Sequence, residues 1–195
     1  MTAPRPRPGG RSARVRRAVL DATLGLVLDH GIGALTVAAV ANRAGVAETT
    51  VYRRWPSTTD LVADAVADVA ERDNPLPDTG TFAGDLDQLA RQIAALLSRP
   101  GMGRLLGATA AMSSDPNMAA AREKYWRMRF AASAPVVDRA IARGEIPAGT
   151  ASYDVLEALA APLYLRVLVT DQPLDEAFVR RCVAHTLTVF RPPQH

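Results

Sequence analysis

Apolar residues recur along this chain at three- and four-residue intervals, and the runs of β-branched and aromatic residues that build strands are absent. Val15, Ala18, Val19, Ala22 and Leu26 place a first helix over about 12–29, stopped by Gly31 and Gly33. Thr36 is positioned to cap a second helix over 37–44, which Gly45 ends. A third helix is expected over 47–55, broken by Pro56. Ser57-Thr58-Thr59-Asp60 has the form of a capping box, with Asp in place of the usual Glu, and starts a fourth helix reaching about Arg72. Residues 73–81 hold two prolines and a glycine and read as a hinge. Five further helices are predicted over 83–98, 101–113, 116–143, 151–169 and 174–190, with Pro135 expected to kink the longest. The fold class is therefore all-α with about nine helices. There is no internal repeat.

Composition adds an asymmetry. The chain has 195 residues, 48% of them hydrophobic, enough for a sizeable core, and a net charge of only +3. Residues 1–60 carry nine arginines against four acids, whereas the rest carries 14 basic and 16 acidic residues. A basic front and a mildly acidic rear suit a polyanion-binding module joined to a second one. Residues 1–11, rich in Arg, Pro and Gly, read as a disordered basic arm, and neither a signal peptide nor a membrane span is expected. The single cysteine, Cys182, forms no intrachain disulfide, and the expected compartment is the cytoplasm.

The stretch 36–61 carries the chemistry. Val37, Val40, Ala41 and Ala44 fall on one helical face, and Val46, Val51 and Trp55 continue the apolar set toward Val19, Leu26 and Leu35. Gly45 supplies the positive φ of a tight turn. Thr49, Thr50, Arg53 and Arg54 are left outside, and Thr50, Arg53 and Arg54 share a face at i, i+3, i+4. This is the pattern of a helix-turn-helix DNA reader. Arginine can reach guanine O6 and N7 with two hydrogen bonds, and threonine can meet a thymine methyl. Either arginine can serve a base or a phosphate. Tyr52 can place its hydroxyl on a phosphate, and Thr36 and the Ser57–Thr58 region sit at helix N-termini that favour one. Arg11 and Arg14 extend the basic surface. A short hairpin with solvated arginines is the plainer alternative, against which the arm and the charge split weigh.

With those residues in hand, the run from Leu35 to Leu61 resembles the DNA-binding domain of TetR/AcrR-family transcriptional regulators. Ala44-Gly45-Val46, Thr50-Val51-Tyr52 and Trp55-Pro56-Ser57 carry the resemblance, over about the first 65 residues. Farther on, Arg143-Gly144-Glu145-Ile146-Pro147, Pro162-Leu163-Tyr164-Leu165-Arg166 and Pro173-Leu174-Asp175 look like one branch of the family's rear domain. The resemblance implies an all-α homodimer that offers its third helix to each half of a palindromic operator on double-stranded DNA. It further implies a small-molecule effector in the rear domain that moves the fourth helix and releases the DNA. Most members are repressors. The chain departs from the family at Thr58, often lysine, and at Ala47, often a serine cap, so the third helix is more weakly capped. Glu48 beside DNA would repel phosphate or accept from cytosine N4.

The domains expected are a helix-turn-helix over 12–57, a connecting helix over 58–73 and a ligand-binding and dimerisation domain over 74–195. For the ligand the candidates are Leu89, Ile93, Leu105, Met112, Trp126, Phe130 and Tyr164, with Arg129 or Arg166 to orient an anionic or carbonyl group; the same apolar residues could be plain core. Leu156, Leu159, Leu163 and Val167 form one stripe and Phe178, Cys182, His185 and Val189 another, on helices apolar nearly all round; they are candidates for a two-fold interface, or for the core of a monomer. Cys182 and His185 are too few for a metal site, and His30 reads as a cation at a helix C-terminus. No nucleophile–base pair, metal spacing or phosphate loop is present, so neither an enzyme nor a cofactor is expected. A constitutive DNA-binding protein without ligand, or a helical small-molecule-binding protein or enzyme, are the alternatives.

Overall fold

The computed structural model describes residues 10–73, 75–111 and 116–191. Nine α-helices and no strand occur among them: α1 Arg11–His30, α2 Val37–Ala44, α3 Glu48–Tyr52, α4 Thr58–Asp73, α5 Phe82–Leu97, α6 Met102–Ala111, α7 Pro116–Ala142, α8 Ser152–Leu168 and α9 Glu176–Val189, with a 3₁₀ turn at Ile32–Ala34 after α1. The expected Met112 contact and the arm residues before Gly10 lie outside the described residues. Arg11 belongs to α1, one residue earlier than the expected helix.

The chain divides into two compact units, Met1–Asp68 and Val69–His195. The division falls inside α4, ahead of the Pro-rich break that reads as a hinge in the sequence. The reason is chemical: the segment after α4 is strapped to the second unit. Gln92 donates to the Pro75 carbonyl (3.0 Å), Arg139 donates to the Pro77 carbonyl, and Asp85 Oδ1 accepts from Thr79 N (2.6 Å) and Thr79 Oγ1 (2.8 Å).

In the first unit α1 packs along α2, and α2 turns into α3. Val19, Val40, Val51 and Leu61 have no exposed surface, and Leu20, Val27, Leu35 and Trp55 are also buried. Fully burying each such side chain contributes roughly 1.5–3 kcal/mol. Of the expected α1 stripe, Val19 and Ala22 are buried and Val15, Ala18 and Leu26 are half-buried; Val27 takes the core place expected of Leu26, because the stripe runs through Thr23. That residue is fully buried with its hydroxyl donating to the Val19 carbonyl (2.8 Å), a polar residue that apolar periodicity passes over.

In the second unit α8 touches α5, α6, α7 and α9, and α5 also packs on α7 and α9. That central placement explains why α8 is apolar on more than one face: Val155, Leu156, Leu159, Ala160 and Leu163 are all buried. Pro135 lies within α7 and Pro162 within α8, each without a backbone N–H to donate. Among the described residues no helix is long and apolar enough to cross a membrane.

Candidate functional site

The turn between α2 and α3 is built as the sequence asks. Thr36 caps α2, its Oγ1 accepting from Ala39 N at 3.1 Å. Gly45 takes the left-handed conformation (φ 66°, ψ 36°), and Gly45 N and Val46 N close on the Asn42 and Ala41 carbonyls, a Schellman ending. Ala47 stands at the N-cap of α3 with no side-chain bond. The helix stops at Tyr52 rather than at Trp55. Pro56 disfavours helical geometry in the residue before it, and the last ladder bond runs from Trp55 N to the Val51 carbonyl. Arg53 and Arg54 therefore occupy a hydrogen-bonded turn after the helix.

Trp55 anchors that turn, its indole Nε1 donating to Asp64 Oδ2 on α4 at 2.9 Å. The capping box forms in full: Ser57 N and Oγ both donate to Asp60 Oδ2, and Asp60 N donates back to Ser57 Oγ at 3.1 Å. The start of α4 is thus tied to the end of α3 by side chains as well as by the chain.

A shallow concavity collects Arg11, Ala47, Thr50, Arg53 and Arg54 from the expected contacts, with Ser12 and Val15 of α1 and the Gly45–Val46 turn. Thr36, Thr49, Tyr52, Arg14 and Thr58 lie outside it; all but the half-buried Thr58 are exposed. The arginines of this unit fall into three groups. Arg16 pairs with Asp68 (2.7 Å) and Asp64 (3.6 Å), Arg17 lies 3.8 Å from Asp68, and Arg43 pairs with Asp29 (2.9 Å), so their charges are met within the fold. Arg54 reaches back to α1, donating to Ser12 Oγ (3.0 Å) and, more weakly, to its carbonyl (3.4 Å). Arg11, Arg14 and Arg53 form no ion pair among the described residues. Arg53 and Arg54 are both exposed, as the spacing implies, and Arg54 in addition clasps the first turn of α1. Ser12, which orients Arg54, is invisible to local pattern because it lies 42 positions away, and Asp64 reaches Trp55 only through the turn at Pro56 that separates α3 from α4.

The second unit contains a cavity between α5, α7 and α8. Of the expected ligand contacts, Leu89, Ile93, Trp126, Arg129, Phe130 and Tyr164 line it. Leu105 does not; it is buried core. Tyr125, Leu96, Ser133, Leu156 and Ala160 complete the lining. They follow helical spacing from residues already singled out, Leu89–Ile93–Leu96 on α5 and Leu156–Ala160–Tyr164 on α8, so the faces were readable once one member was known. Burial pushes the Tyr125 and Tyr164 phenols up, and both line the cavity with Arg129. Arg166 is used elsewhere: it donates to the Pro173 carbonyl (3.2 Å) and lies 3.9 Å over the Phe178 ring, joining α8 to α9.

The two stripes expected at a dimer interface are also redistributed. Leu156, Leu159 and Leu163 are buried inside the protomer, and Val167 is half-buried. Cys182 is buried, its thiol pushed up by burial, and Phe178 is half-covered by Arg166. His185 and Val189 are exposed, and so are Leu165, Leu168 and Val169. These stripes share their helices with both core and surface, which periodicity alone cannot separate. No cluster of three or more metal-ligating residues occurs among the described residues.

Two family descriptions match in order along the chain. Residues 19–65 match "Bacterial regulatory proteins, tetR family", and residues 76–186 match "Tetracyclin repressor-like, C-terminal domain". The chain is 32% identical over 165 residues to the HTH-type transcriptional regulator AqdR of Rhodococcus erythropolis, covering 84% of this chain and 80% of AqdR. It is 28% identical over 187 residues to the uncharacterized HTH-type transcriptional regulator YdeS of Bacillus subtilis (strain 168), covering 94% and 92%. Among solved structures, the TetR family transcription regulator SCO0332 aligns with a TM-score of 0.78 and 32% identity over 92% of this chain and 100% of that one. With the reading head matched at the front, the helical unit behind it and relatives spanning both, the chain belongs to the TetR family of DNA-binding transcriptional regulators.

Proposed function

We propose that this regulator is a ligand-responsive repressor that binds a palindromic operator as a homodimer in the cytoplasm and is released by a small molecule. The observation that carries the reading is the distribution of arginines in the first unit: Arg11, Arg14 and Arg53 have no ion pair among the described residues, and Arg53 shares the α3 concavity with Thr50. Cations without protein partners at a reading helix suit the phosphates and base edges of DNA. Arg53 and Thr50 reach base edges, Thr49 stands beside them, and Arg11, Arg14, Thr36, Tyr52 and the Thr58 end of α4 hold phosphates. Ala47 brings the backbone close because it has no long side chain. Arg54 acts through Ser12, setting where α1 meets the DNA. The unit over 12–57 reads, α4 connects, and the chain from 74 onward senses and dimerises.

The cavity between α5, α7 and α8 supports a sensor role, and the exposed Leu165, Leu168, Val169, His185 and Val189 of α8 and α9 support a two-fold face. The test is a mobility-shift titration on the intergenic DNA beside its own gene. Wild type binds a palindrome there, and Arg53→Ala weakens that specific binding by about 1–3 kcal/mol while leaving non-specific DNA binding nearly unchanged. Wild-type affinity in an Arg53→Ala/Arg54→Ala double variant would remove the reading-head assignment. Failure of every ligand class to release the DNA would leave a constitutive binder instead.

A further inference from the structure

The lining of the α5–α7–α8 cavity is unbalanced in a way that names a ligand. Among the described residues its one charged lining residue is Arg129, and no carboxylate lines it. Arg129 forms no ion pair among the described residues, unlike Arg127 two positions before it, which pairs with Glu123. Tyr125 and Tyr164 line the same cavity as Arg129. Each phenol carries a hydroxyl proton that it can donate. Burial holds both phenols neutral, so neither supplies the missing negative charge. A guanidinium and phenol donors around one apolar cavity make a receptor for an anionic oxygen.

The rest of the wall is aromatic. Trp126 stacks on Phe130 (5.7 Å between centroids, 30°) and meets Tyr164 edge-on (5.0 Å, 73°). The enclosed space is about 30 Å³, room for a water or two and not for a ring, which needs about 150 Å³. Trp126 and Phe130 have a second side, however. They also line an open groove with Ser152, Tyr153 and the mutually paired Glu123 and Arg127, and the Phe130 and Tyr153 rings meet edge-on with centroids 4.5 Å apart and Tyr153 half-exposed. Trp126 and Phe130 are thus shared by cavity and groove, and an outward swing of Phe130 and Tyr153 would join the two spaces.

We propose that this cavity binds a planar aromatic monoanion, its ring against Trp126 and Phe130 and its carboxylate or phenolate oxygen on Arg129, within reach of the Tyr125 and Tyr164 phenols that line the same cavity. The proposal rests on the sensor reading and gives it a ligand class. A cationic ligand would face Arg129, and a neutral one would desolvate the guanidinium without meeting its charge.

Calorimetric titration of the full chain with naphthoate, naphthamide and naphthylmethylammonium tests it, because the three share a shape and differ in charge. Naphthoate should bind at least about tenfold more tightly than the amide, the worth of one charge-assisted hydrogen bond, and the cation should not bind. Arg129→Gln should remove most of that preference by weakening naphthoate alone, with Arg129→Lys between. Equal affinity for acid and amide in wild type, or an unchanged preference in Arg129→Gln, overturns the anion class. Binding by none of the three overturns it as well. The sensor reading is judged separately, by whether compounds of any charge release operator DNA.

Discussion

At the scale of single residues, the arginines of the first unit have the same charge and different work. Arg53 has no ion pair among the described residues, whereas Arg54 is held by Ser12. Ser12→Ala and Arg54→Ala should therefore weaken operator binding by overlapping amounts. A double-mutant cycle on operator affinity should show a coupling of about 0.5 kcal/mol or more between them, and none between Ser12 and Arg53. A second residue-scale expectation concerns Tyr125 and Tyr164, whose phenols burial pushes up. Their folded values exceed the unfolded one, so the stability they contribute is complete below about pH 10, the ordinary phenol value, and is lost as pH rises beyond it. An alkaline absorbance titration of the native protein should show late-ionising tyrosines that Tyr125→Phe or Tyr164→Phe removes. None of these partnerships is readable from spacing. Ser12 and Arg54 lie 42 positions apart, and only the packing of α1 brings them within hydrogen-bond reach.

At the scale of elements, the helices were legible because their ends are written locally. The caps at Thr36 and Ser57–Asp60 and the αL turn at Gly45 all form as their residues imply. The segment after α4 was not legible in the same way. Its prolines suggest a loose connection, yet the charges that hold it come from elsewhere. Fully buried Asp85 on α5 binds Thr79 and lies 3.5 Å from Arg139 and 3.7 Å from Arg143 of the α7 end. Glu145 then pairs with Arg143 and accepts from Phe82 N at 2.6 Å, which gives the Arg143-Gly144-Glu145 turn its purpose. Asp85→Ala leaves the Thr79 donors without their acceptor and takes one carboxylate from Arg139 and Arg143, which keep Asp78 and Glu145. It should destabilise the second unit by about 1–3 kcal/mol, read as a fall in its unfolding midpoint in urea.

At the scale of the whole molecule, the division of labour was visible as a charge split, but the outer face of the rear unit was not. Helices α8 and α9 supply core and surface from adjacent positions: Leu163 has no exposed surface, while Leu165 is 55% and Val189 70% exposed. If these exposed residues meet a second copy, Val189→Glu together with Leu165→Glu should lower the oligomeric mass seen by sedimentation and weaken operator binding, with the single-chain fold intact by circular dichroism.

The chain has two tryptophans, and each compact unit holds one of them. Trp55 is buried and bonded to Asp64 at the junction of α3 and α4, and Trp126 stands in the wall of the cavity. If a ligand fills that cavity and releases DNA, emission from a Trp55→Phe variant reports the filling, and emission from a Trp126→Phe variant reports the reading head. Comparing the two in a rapid-mixing experiment would then give the order of the two events, with no dye attached.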